Sequence, residues 1–128
     1  MSDDVKILRF NDERLKEVIP GKFKFKHLHG QNTTVALYRF KNASDIPVQL
    51  NKHEEEITII LKGRCKMFID GEELLLEEGD TIMIPAFKEH IGEFLSDEVV
   101  LVSVFTPQRA DLGPEDAEEV KLSFLADQ

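Results

Sequence analysis

From residue 22 to residue 29 the chain alternates charge with apolar bulk, reading Lys-Phe-Lys-Phe-Lys-His-Leu-His. A period of two marks a strand, because successive side chains point to opposite faces. Lys22, Lys24 and Lys26 share one face, which the pattern predicts to be solvated. Phe23, Phe25, His27 and His29 share the other. Gly30-Gln31-Asn32 interrupts the run and Thr33–Phe40 resumes it, which predicts a hairpin. Lys41–Ile46 is polar and turn-like, and Pro47 restricts the chain before the next extended segment. The run ITIIL at 57–61 is short, apolar and β-branched and ends at Lys62-Gly63, which predicts a buried strand. RCKMFI at 64–69 and the run Glu72–Leu76 flank Asp70-Gly71, a strong hairpin turn. Glu78-Gly79-Asp80 turns again, Thr81–Ile84 runs into Pro85, and VVLVSVF at 99–105 is the last clear strand.

The ends read differently. Residues 11–19, NDERLKEVI, predict a short helix or turn opened by Asn11 and stopped by Pro20-Gly21. GPEDAEEVKLSF, from Gly113, carries proline and acidic residues where a helix start favours them. It predicts a turn or two of helix on the barrel, or a frayed tail. Turns recur every 6–12 residues with no long amphipathic helix between them, the pattern of an all-β sandwich or barrel. The expected division is an N-terminal arm at 1–20, a β-barrel at 21–112 and an acidic tail at 113–128.

Composition narrows the function classes. A chain of 128 residues suits one domain with a real hydrophobic core. A net charge of -9 repels phosphate backbones, so no nucleic-acid partner is expected. One cysteine, Cys65, cannot form an internal disulfide and reads as a packed small residue. MSDDVKILRF shows no signal-peptide pattern and no apolar stretch reaches membrane-spanning length, so the expectation is a cytoplasmic protein without a membrane partner.

Two segments resemble the conserved blocks of the cupin superfamily. The first block reads roughly G-x5-H-x-H-x3,4-E-x6-G, and Glu56-ITIILK-Gly63 matches its E-x6-G part. The second reads roughly G-x5-P-x-G-x2-H-x3-N, and Gly79-DTIMI-Pro85 with His90 matches it in order and spacing. The resemblance implies a double-stranded β-helix, the cupin jelly roll of two antiparallel sheets, with short irregular or helical segments at both ends. It also implies a homodimer. The ending FTPQRADL, at 105–112, is similar to a Thr-Pro-x-Arg-x-Asp segment of small KdgF-type cupins, which act on unsaturated uronates, and this implies a sugar acid as ligand.

That resemblance sets an expected site. Cupin metal centres use imidazoles and a carboxylate or amide for iron, manganese, nickel or zinc. Counting back from Glu56, the longer spacing puts Gln49 and Asn51 at the two histidine positions; the shorter puts Leu50 and Lys52 there. Gln49 and Asn51 are the better match, since both offer an amide oxygen on one face, though amides are weaker ligands than imidazole. His53 joins them if the strand is bulged. His90 is the strongest single candidate, with Glu56 beside it as ligand or as general acid or base. Of Glu54, Glu55 and Glu56, two are expected outside or at the barrel mouth, since burying several unpaired carboxylates is very costly. Phe87 and Phe94 replace the glycine and asparagine of the second block, and Phe94 makes the cavity more apolar. Tyr38 and Arg39 lie on opposite faces of their strand, so at most one lines the cavity. Arg109 reads as a partner for Asp111 or a neighbouring subunit. His27-Leu28-His29 has ligand spacing but lies well before the first block, at a barrel end or a subunit contact.

Three functions follow. The first is a small-molecule-binding cupin with a rearranged divalent-metal site built from His90, Glu56 and His53, with Gln49, Asn51, Tyr38 and Phe94 around the ligand. The second is a metal-free cupin that binds a ligand or partner without chemistry. The third is a sugar isomerase or epimerase pairing Tyr38 with His53 or His90.

Overall fold

A computed structural model describes residues 5–10, 15–45, 48–50 and 53–120, with 48–50 and 118–120 described by their backbone alone. Twelve strands follow one another: β1 (Val5–Ile7), β2 (Lys16–Ile19), β3 (Phe23–His29), β4 (Thr34–Lys41), β5 (Val48–Leu50), β6 (Glu55–Lys62), β7 (Arg64–Ile69), β8 (Glu72–Glu77), β9 (Thr81–Ile84), β10 (His90–Phe94), β11 (Glu98–Thr106) and β12 (Glu118–Val120). A six-stranded sheet runs β2-β3-β4-β11-β6-β9, a four-stranded sheet runs β5-β10-β7-β8, and β1 pairs with β12 in a small ribbon. Every pairing is antiparallel. The two larger sheets form the expected jelly roll. Among the described residues no helix is long and apolar enough to cross a membrane.

The hairpins form where turn chemistry demands them. β3 and β4 pair from Phe23 opposite Phe40 to His29 opposite Thr34. β7 and β8 join through Asp70 (φ 51°) and Gly71 (φ 78°), the left-handed pair that matches strand twist. Gly63 also has positive φ, and a methyl group there would run into the Glu98 carbonyl oxygen and the Ser96 hydroxyl. That crowding explains why the E-x6-G spacing ends on glycine.

Three expectations are corrected. Residues 16–19 are a strand on the edge of the larger sheet, not part of a helix; residues 11–14 lie outside the described residues. The tail follows a 3-10 turn at Ala110–Leu112 and, over its described residues 113–120, runs extended into β12, because backbone partners on β3 and β1 outweigh the local helix signal; residues 121–128 lie outside the described residues. Lys26 sits on the lysine face yet is only 2% exposed. Alternation sets the face correctly but cannot reveal what packs over it.

The core lies between the sheets, where Phe40, Ala43, Ile60, Cys65, Phe94, Val99 and Leu101 form one buried cluster. Cys65 is a packed thiol here, its pKa pushed up to about 11 by burial and then by Asp80. Phe40 and Phe94 stack across the sheets with ring centres 4.0 Å apart.

Candidate functional site

The register brings four chain segments together at one end of the barrel. Glu56 lies opposite Ile84 on β9 and Phe105 on β11, and His90 lies opposite Ile69 on β7. The start of β6, the end of β9, the start of β10 and the end of β11 therefore meet there. Beneath them is a cavity of about 280 Å³, near the lower limit of the roughly 300–1,000 Å³ typical of small-molecule pockets. Phe23, Phe25, Tyr38, Phe40, Phe94 and Phe105 give it an aromatic wall. Glu56, Thr58, Ser103 and Arg109 supply a polar pole.

Glu56 and Thr58 are two residues apart on β6 and so share a face, and Ser103 on β11 is registered opposite Thr58. Thr58 donates to Glu56 Oε2 at 2.6 Å, Ser103 donates to the same oxygen at 3.1 Å, and the two hydroxyls are 2.8 Å apart. The other carboxylate oxygen, Oε1, faces His90 Nε2 at 3.3 Å. That distance suits charge attraction, but the alignment is not that of a hydrogen bond, so neither atom has a hydrogen-bond partner among the described residues. The other His90 nitrogen, Nδ1, donates to the Lys88 carbonyl at 3.0 Å. Burial opposes a charge on His90, yet Glu56 and the Lys88 carbonyl together lift its pKa above the ordinary value. Glu56 and His90 are buried to 3% and 1% exposure.

Tyr38 lines the cavity, whereas Arg39 on the opposite face donates to Glu98 at 2.7 Å. Burial holds the Tyr38 phenol far above its ordinary pKa, so it is a neutral donor at any physiological pH. Phe94 lies in the aromatic wall. His53 is exposed, its ring near-perpendicular to that of Phe87 with the ring centres 6.3 Å apart. Of the three glutamates, Glu55 is exposed, Glu54 half-buried and Glu56 buried. β5 pairs with β10 so that Leu50 is opposite His90 and Gln49 opposite Ile91. The backbone register therefore puts residue 50, not 49, opposite His90. Asn51 and the Gln49 side chain lie outside the described residues.

Arg109, Thr58 and Ser103 carry more of the site than their sequence context suggested. Arg109 does pair with Asp111, donating from Nε at 3.2 Å and from a terminal nitrogen at 2.6 Å. It also lines the cavity, with its guanidinium carbon 4.7 Å from the Phe105 ring centre. Burial opposes its charge, but Asp111, with Glu54 behind it, holds it protonated. The missed signals were modest: a serine at an inward position of an otherwise apolar strand, and a threonine two residues after Glu56. The His27–His29 pair explains how Arg109 is placed. Both Nε2 atoms donate to the Gly113 carbonyl, at 3.1 and 2.8 Å. Thr34 donates to His29 Nδ1 at 2.8 Å while accepting from the Arg109 backbone at 2.9 Å. The two histidines are thus a clasp at the barrel end that anchors the segment following β11.

The family's metal can be tested against these donors. Glu56 Oε1 and His90 Nε2 are buried and lack hydrogen-bond partners, as two ligands would. No third His, Cys, Asp or Glu joins them among the described residues. One nitrogen and one carboxylate do not make the donor set that first-row metals prefer, so the residues described do not fit the group.

The cupin domain family model matches residues 36–105, more than half of the chain. An uncharacterised protein of Aquifex aeolicus is 32% identical over 68 residues, a match spanning 53% of this chain and 55% of that protein. Among solved structures, KdgF from a Halomonas species matches with a TM-score of 0.66 at 22% identity, covering 80% of this chain and 97% of that one. An RmlC-like cupin from Shewanella frigidimarina matches with a TM-score of 0.66 at 21% identity, covering 84% and 97%. The two sequence blocks, the jelly roll built from them and the family match across both sheets together make this chain a member of the cupin family.

Proposed function

We propose that this cupin binds a small carboxylic acid with a largely apolar or aromatic body, and holds it without a resident metal. One observation carries the reading: Arg109 stands at the polar pole of an otherwise aromatic cavity. Asp111 occupies two of its five N–H donors, leaving three for a ligand carboxylate. Tyr38 adds a neutral donor, and the aromatic wall takes the apolar body. A polyhydroxylated sugar acid needs more hydrogen-bonding partners than this wall offers, so the apolar acid is the better fit. The Glu56–His90 pair sits beside the expected carboxyl position. It is placed to accept or return a proton at a carbon or oxygen next to that group, should the ligand be transformed.

The test has two parts. Untagged protein is measured for iron, manganese, nickel and zinc, before and after reconstitution. Aromatic and aliphatic acids are then screened by native mass spectrometry against the parent and Arg109→Ala. The reading expects substoichiometric metal and acids retained by the parent alone. Stoichiometric metal that disappears in His90→Ala sinks the metal-free assignment. Acid binding that survives Arg109→Ala sinks the carboxylate assignment.

A further inference from the structure

The loop between β9 and β10 holds Phe87 at a φ of 66°, in the left-handed region. The two other non-glycine residues described there are Asn42 and Asp70, whose short polar side chains tolerate it. A phenylalanine has no such compensation. Phe87 is also 78% exposed, the most exposed of the large hydrophobic residues described. Backbone strain and an apolar ring in water both work against the fold at one residue, and glycine here would avoid both.

The loop is not loosely placed. Lys88 forms an ion pair with Asp70, its carbonyl accepts from His90 Nδ1 at 3.0 Å, and its N–H donates to the Pro85 carbonyl at 3.4 Å. These contacts pin the turn at the barrel end where Glu56, His90 and Arg109 meet. The Phe87 and His53 rings meet edge to face with centres 6.3 Å apart, and His90, whose Nδ1 the loop's Lys88 carbonyl holds, faces Glu56 of the cavity wall at 3.3 Å. Arg109 lines the same cavity. An exposed aromatic pair therefore stands on the rim of the cavity that the carboxylate-holding arginine lines.

We propose that Phe87, with His53 at its edge, is an outer aromatic subsite that packs on a second ring of the ligand. It rests on the reading that Arg109 holds a carboxylate while the cavity takes the first apolar group. The class it selects is an acid with two apolar groups, one buried in the barrel and one attached beside the carboxyl carbon.

N-benzoylglycine and N-benzoylphenylalanine form a probe pair, since they differ by one benzyl group at that position. Isothermal titration is run with each on the parent, Phe87→Gly and Arg109→Ala, alongside thermal unfolding. The parent is expected to prefer N-benzoylphenylalanine by roughly three- to tenfold, the scale of one aromatic contact. Phe87→Gly abolishes that preference, leaves N-benzoylglycine binding unchanged, and unfolds at the parent temperature or higher. Arg109→Ala loses both acids. If both acids bind through Arg109 with no preference, or with one that survives Phe87→Gly, the rim subsite alone is overturned. A Phe87→Gly variant that melts well below the parent assigns the ring a structural role and likewise overturns it. If neither acid binds, or both bind equally well to Arg109→Ala, the acid-binding reading falls and the subsite with it.

Discussion

At the scale of single residues, the pair Glu56 and His90 is where burial and chemistry meet. Glu56 keeps Oε2 occupied by two hydroxyls and turns Oε1 toward the imidazole. His90 has a raised pKa, so its charged form is favoured in the folded state. The sign follows: this contribution is fully present below the unfolded histidine pKa of about 6.5 and is lost as pH rises through the folded value. Glu56→Gln removes the attracting charge and lowers the His90 pKa, which imidazole NMR titration reads directly; an unchanged titration excludes the pair. Gly63 offers a second test. Gly63→Ala combines positive φ with two clashes against β11 and the turn before it. It should destabilise the fold by about 2–4 kcal/mol in urea unfolding. A loss under about 0.5 kcal/mol, the range of an ordinary surface change, contradicts the crowding.

At the scale of elements, the outer end of the larger sheet is tied by charge. Glu98 on β11 accepts from Arg39 on β4 at 2.7 Å and pairs with Lys62 on β6 at 2.6 Å. These partners, Lys62 first and then Arg39, hold its pKa down at about 2. A depressed carboxylate contributes stability above its unfolded pKa and loses it as pH falls through the folded one. Lys62 is exposed while Arg39 and Glu98 are partly buried, and Glu98→Gln is expected to lose about 1 kcal/mol at neutral pH. The gap to the parent should close as the pH approaches 2, the folded pKa of Glu98, and an acid titration of unfolding free energy checks it. The segment after the 3-10 turn is a second tie. Asp116 and Glu115 accept from the backbone N–H groups of His27 and His29 at 3.1 and 2.7 Å, and Asp116 N–H donates to the His27 carbonyl at 3.0 Å.

At the scale of the whole molecule, that tie connects stability to the site. Ending the chain after Leu112 removes Gly113, Glu115 and Asp116, and with them the clasp partners of both histidines. At about 0.5–1.5 kcal/mol for each lost hydrogen bond, several kcal/mol of stability should go. Any folded remainder should bind acids more weakly, because Arg109 is no longer held from behind. Chemical unfolding and calorimetry of the shortened chain separate the two effects. A shortened chain as stable as the parent would show that the clasp is dispensable.

How much of this was legible in the sequence follows from what is local. Period-two alternation, Asp70-Gly71, and the spacings from Glu56 to Gly63 and Gly79 to Pro85 depend on backbone geometry within a few residues. They predicted the strands, the hairpins and an all-β sandwich or barrel; the family resemblance they carry implied the jelly roll and grouped Glu56 with His90. The helix expected at 11–19 failed over 16–19 because pairing with β3 outweighs weak local propensity. β10 carries a glycine and two charged or ionisable residues among five positions, and so gave little strand signal. What only the tertiary structure decided was non-local. Lys26 is buried although it lies on the lysine face. Residue 50 rather than 49 is paired opposite His90, because a one-residue shift in register reverses every face. Arg109 reaches the cavity because histidines some eighty residues earlier in the chain anchor the segment behind it. Alternation states that a strand has two faces; long-range pairing decides which face meets the cavity, and that choice sets the chemistry of the site.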